Sequence, residues 1–220
     1  MKSPFFTASF GAALLVFCGV AALAQEPAGA GRGPALKVLV AGENPAIRLL
    51  DKENGKAISS ANFWRVEWSP AGAGAVCYLT ISGQDPSGKG VKDLRIAIYD
   101  NEKLYEYVTN DLMSSLAKTF NEPPFKALKG TVTRTDNGPA ERTETCKAPG
   151  YSIQLIWKGL RQGNWADMKM GPDTHMTFVM VPASSGEILV NGKQAPGTWF
   201  PTGGGIGPGA YLTVNETWRR

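Results

Sequence analysis

Histidine occurs once in these 220 residues, at His175, and cysteine three times. A single imidazole excludes multi-histidine zinc sites and two-histidine iron sites, and no Cys-x-x-Cys spacing offers a thiolate cage instead. No metal and no cofactor is therefore expected. Charge of one sign is equally scarce: 23 basic against 19 acidic residues leave a net charge of +4, and no four like charges run together. So mild and dispersed a balance lacks the electrostatic footprint of a protein that binds nucleic acid or an anionic membrane.

The N-terminus is the exception to this restraint. Lys2 is followed by an apolar stretch over 10–20 and then by Ala22-Leu23-Ala24 in front of Gln25-Glu26-Pro27. A basic start, a short apolar core and a small-x-small cut site make a cleavable signal peptide over 1–24, and the run falls short of the roughly 20 apolar residues that a spanning helix needs. Bulky Phe17 before Cys18 argues against lipid modification there, so Cys18 reads as an apolar residue of the signal. The expected address is periplasmic or secreted, with no stable membrane insertion after cleavage. Removal of Lys2 with the signal leaves 22 basic against 19 acidic residues. It also leaves Cys77 and Cys146 as an even pair, and in an oxidising compartment such a pair is expected to form a disulfide.

Residues 25–35 are rich in Gly and Pro without periodicity and read as a flexible leader, so that a single β-rich domain is expected over 36–220. Short alternating or apolar segments follow at 36–40, 63–68, 75–82, 93–99, 104–108, 128–135, 151–157, 175–181, 187–190 and 211–218. Their β-branched and aromatic content predicts strands. Asp136-Asn137-Gly138 and Asn191-Gly192 have the chemistry of hairpin tips, and Asp100-Asn101-Glu102-Lys103 reads as a turn between two further strands. One helix is expected at about 110–120, because Leu112, Met113, Leu116 and Phe120 fall at helical spacing behind Asn110 and Pro123-Pro124 stops them. Residues 196–209 are too rich in Gly and Pro for either element. The predicted fold is a mainly β antiparallel sandwich or lipocalin-like barrel with one short inserted helix.

Two glycine motifs fail as nucleotide sites. Gly83 to Gly90 has P-loop spacing, but Gly90 stands where a magnesium-holding hydroxyl belongs and no helix is expected to follow; the pattern at Gly205, Gly207 and Ala210 is broken by Pro208. Asn215-Glu216-Thr217 matches a glycosylation acceptor, yet it lies inside a predicted strand beside Trp218.

Residues 165–175 mix aromatic and ionisable groups most densely, and are expected to be a functional loop. His175 with Asp173 or Asp167 could serve as a general acid or base, although no Gly-x-Ser-x-Gly elbow accompanies them. Trp165 and Trp199 sit in expected loops, where core packing does not account for them, and with Arg95 and Tyr99 they are the candidate ligand contacts. Three functions remain open on these residues. The first is binding of a small apolar or aromatic molecule. The second is an enzyme of the hydrolase, cyclase or isomerase type using His175. The third is an interaction or structural module of the cell envelope.

Overall fold

The computed structural model describes residues 37–82, 93–113, 124–170, 173–203 and 207–220. The expected signal peptide and leader, the Lys89 loop, most of the expected 110–120 helix and Gly205 lie outside the described residues. The protein is mainly β. Its strands are β1 (Val38–Glu43), β2 (Ala46–Leu50), β3 (Ala57–Trp68), β4 (Gly74–Ser82), β5 (Asp93–Tyr99), β6 (Lys126–Lys129), β7 (Thr131–Asp136), β8 (Glu141–Ala148), β9 (Tyr151–Leu160), β10 (Asn164–Lys169), β11 (His175–Val190), β12 (Lys193–Gln194) and β13 (Ala210–Arg219). They form one sheet in the order β6-β5-β4-β3-β1-β13-β11-β9-β8-β7, with β10 and β12 added on β11 and β2 lying against β13 and β3. The pairing is antiparallel except between β5 and β6, which makes the sheet mixed.

The sheet bends back on itself at two corners. β11 is 16 residues long: its first half pairs with β13, and from Ala183 it pairs with β9. The other corner is Gly130, the one residue between β6 and β7, so the hydrogen-bonded path begins and ends on the same stretch of chain. A side chain at Gly130 would collide with the Lys147 carbonyl and with Ile98, and its N–H donates to the Tyr99 carbonyl at 2.8 Å. Only glycine lets the chain cross so close to its neighbours.

Folding over places two layers face to face around one core. Phe63, Leu79, Ile96 and Ile98 from one layer meet Ile153, Leu155, Trp157 and Ile188 from the other, all fully buried. Trp157 satisfies its indole N–H on the Ala46 carbonyl at 3.1 Å. Beyond this core, toward one end, the space between the layers is closed by charge. The fully buried Glu144 carboxylate accepts from Arg65 at 2.6 Å and from Arg134 at 2.6 Å. Arg134 also pairs with Glu43, and Arg142 joins Glu43 to Asp136. Three guanidiniums thus face three carboxylates, which is how buried charge is tolerated.

A second buried cluster covers the opposite face of the first layer. Alternation on β4 sends Ala75, Cys77, Leu79 and Ile81 into the first core and Val76 and Tyr78 into the second. The second core is closed by a helix, α1 (Glu102–Glu106), that runs on as a π-helical stretch over Tyr107–Leu112. This corrects one expectation. The 104–108 segment is helical rather than a strand, and Asn101, whose side chain accepts from the Leu104 N–H, caps its start. Leu104, Val108 and Leu112 are its buried residues. That four-residue spacing is the helical signal, and the alternating Tyr105 and Tyr107 obscured it.

The expected Cys77–Cys146 disulfide is also corrected: both are free, buried thiols. They meet across the two layers, and a hydrogen bond to Cys77, then burial, holds the Cys146 thiol well above its ordinary pKa. A thiol kept protonated behaves as a small apolar core residue, and the ladders already tie the two strands into one sheet.

Candidate functional site

At one end of the second core the helix and the sheet part to leave a cleft of about 460 Å³. Leu39 comes from β1, Tyr107 and Leu112 from the helix, Met170 from the turn after β10, and Trp218 from β13. Lys37, Asp111 and Arg220 also line it. The strand ends are anchored there, since Lys37 and Arg220 exchange backbone hydrogen bonds of 2.6 and 2.8 Å. Tyr107 donates its hydroxyl to the Leu39 carbonyl at 3.0 Å, which fixes the helix against β1. Burial and, after it, Asp111 push the Tyr107 phenol up while Arg220 opposes them, so both charges act at the phenol.

Trp218 is positioned by a second layer of contacts. Its ring lies 5.8 Å from that of Trp64, and its indole N–H donates to Glu216 at 2.6 Å. Glu216 owes its place to a bulge. Asn215 takes a left-handed φ of 53°, and the register slips so that Val214 faces Val179 while Thr217 faces Thr177. Asparagine tolerates that backbone better than most residues. Glu216 itself is 3% exposed. Burial pushes its carboxyl up to about 7, against the weaker opposing effect of hydrogen bonds from Thr213 and Trp218. No cation pairs with it among the described residues.

The residues singled out from sequence lie elsewhere and apart from one another. Trp165 is not in a loop: it is on β10, 68% exposed. Trp199 packs against the first core. Arg95 and Tyr99 share the helix-facing side of β5, Arg95 over Phe125 at 4.3 Å and Tyr99 stacked on Tyr105 at 5.0 Å. His175 and Asp167 do come together on adjacent strands, with Nδ1 to Oδ1 at 3.9 Å, which is ion-pair range but longer than a hydrogen bond. Asp167 accepts instead from Arg219 at 3.2 Å, and Asp173 pairs with Arg220 rather than with His175.

Sequence reasoning missed the cleft because five separated segments build it. The one local signal was Glu216, an acid two residues before Trp218 and hence on the same face of the strand. What the site offers chemically is an apolar, partly aromatic wall with two cations and one carboxylate. Such a combination binds a molecule of mixed character rather than a purely apolar one. Compared with protein-family models, with curated proteins and with solved structures, the chain matches none of them.

Proposed function

We propose that this protein binds a small amphipathic molecule, with an apolar or aromatic body and an anionic end, in the cleft beside the helix. The observation that carries the reading is the cleft itself: Leu39, Leu112, Met170 and Trp218 supply contact surface, and Lys37, together with Arg220, which also pairs with Asp173, supplies positive charge. A volume of about 460 Å³ lies in the range of small-molecule sites. The space between the two layers is filled by Phe63, Trp157 and their neighbours, so the ligand goes beside the sandwich and not into it as in a lipocalin.

The probe for this reading is 8-anilinonaphthalene-1-sulfonate, which has the required aromatic body and anionic group. Saturable binding with quenching or energy transfer from tryptophan is expected, weakened roughly tenfold by Trp218→Ala and severalfold by Lys37→Gln. Unsaturable binding, or binding indifferent to both changes, would show that the cleft is not the site. We place this activity outside the cytoplasm on the strength of residues 1–24. Mass spectrometry of protein recovered from its native source is expected to find a chain beginning at Gln25, and an intact Met1 would remove that setting.

A further inference from the structure

Among the described residues nearly every large apolar side chain is at least partly covered. Among the described residues the two that stand exposed are Trp68, at 50%, and Trp165, at 68%. They lie on one face of one sheet. The register runs without a gap from Trp68 to Ala41, then to Thr217, Thr177 and Asp167, and paired residues of neighbouring strands point to the same side. Trp165 is two residues from Asp167 on β10, so it shares that side. This is the face that packs into the first core at its other end. Past the Glu43–Arg134–Glu144 network the five strands β3, β1, β13, β11 and β10 form a platform on which Trp68, Trp165 and Asp167 are exposed and Ala41, Thr217 and Thr177 half-buried.

The platform has two parallel strips of different chemistry. The first is Trp68, small Ala41, two threonine hydroxyls and Asp167. It spans four strand spacings, which puts the two indoles roughly 20 Å apart. The second strip, one row further toward the strand ends, holds Lys169, His175 and Arg219 in register on adjacent strands. Two acids border them: Asp167, taken up by Arg219 at 3.2 Å with His175 Nδ1 at 3.9 Å, and Asp173, taken up by Arg220 at 3.2 Å.

We propose that this face binds an extended anionic polysaccharide, with sugar rings stacked on Trp68 and Trp165 and acid groups on the row of Lys169, His175 and Arg219. Each part of the ligand has its counterpart. The C–H face of a pyranose ring is apolar and slightly positive, and it suits the electron-rich face of an indole. Ring hydroxyls both donate and accept, as do Thr177 and Thr217. A carboxylated or sulfated chain matches the excess of positive charge in the second strip, whereas a neutral chain leaves it unused. A protein partner would want a contiguous, water-excluding apolar centre, and here the two aromatic anchors are separated by hydroxyls and ions. A single-stranded nucleic acid would want one phosphate contact after another along a strongly basic track, and two cations beside a carboxylate fall short of that.

Affinity electrophoresis on native gels tests the assignment. The full mature protein is run through polygalacturonate, alginate, hyaluronate and chondroitin sulfate, with dextran as the neutral chain and oligothymidylate as the nucleic acid. At least one polyanionic glycan is expected to retard the protein, and added salt should weaken the effect. Trp165→Ala and Trp68→Ala should each lower the affinity roughly tenfold, and Lys169→Gln should flatten the salt dependence. All three side chains are exposed, so circular dichroism is expected to be unchanged. The proposal is overturned if none of the four polyanions retards the protein, if dextran does so equally, or if oligothymidylate binds more tightly. It is also overturned if sedimentation shows the protein self-associating in a way that Trp165→Ala abolishes.

Discussion

Glu144 and Glu216 both sit on strands with their carboxyls out of water, but their surroundings differ. Glu144, between the layers, accepts from two guanidiniums, and Arg134 passes the pairing on to Glu43. Glu216, on the helix side of the same sheet, has an indole N–H and a threonine hydroxyl, both neutral. The nearest chain neighbours do not make up the deficit. Asn44 gives its backbone N–H to Thr213, Arg65 and Glu43 are engaged with Glu144 and Arg134 between the layers, and His175, Arg219 and Asp167 associate with one another on the opposite side of the sheet. Two buried acids in one sheet therefore illustrate two solutions. The first is flanked by opposite charge; the second, raised by burial to about 7, stays neutral below that pH.

The largest effect expected from breaking this contrast is at the paired site. Arg134→Met leaves Glu144 with one guanidinium and Glu43 with only the longer contact to Arg142. Removing one partner of a buried pair costs about 3–5 kcal/mol, to be read as a lowered midpoint in urea at pH 7. A loss under about 1 kcal/mol would mean that the network behaves as an exposed one.

The unpaired site should respond in the opposite direction. With its folded pKa raised to about 7, Glu216 favours the folded state most at acid pH. That contribution is full below the ordinary carboxylate range and is lost as pH rises through about 7. Glu216→Gln keeps an acceptor for Trp218 and cannot ionise. It should match the parent near pH 4 and exceed it by about 3 kcal/mol at pH 9, for a shift of some two and a half pH units. Parallel stability profiles for the two proteins would show that a cation or water reaches the carboxylate after all.

Most of the architecture was readable in the sequence, and the departures have local causes. Strand 93–99 is bounded as its composition predicts, and both Asn-Gly turns join paired strands. β10 went unrecognised because its outward side carries Trp165, Asp167 and Lys169, a mixture that resembles a loop. β2 is buried at four of its five positions and so shows no alternation. The 104–108 segment resembles a strand because its tyrosines alternate, while its helical core residues, Leu104, Val108 and Leu112, recur every four. For the candidate site, sequence supplied single residues of the right kind but not their grouping. Trp165, Asp167 and His175 share the open platform, Trp199 packs against the filled core, and Arg95 and Tyr99 lie on the helix-facing side of β5. Trp218, Tyr107 and Lys37 meet only because strand ends and helix converge, and no spacing in the chain records that.

The crossing at Gly130 bears on how the molecule would come apart under load. A ribbon of strands with two free margins peels one hydrogen bond at a time from either side. Here both margins are one continuous segment, so a pull that loosens β6 from β5 also strains β7 against β8.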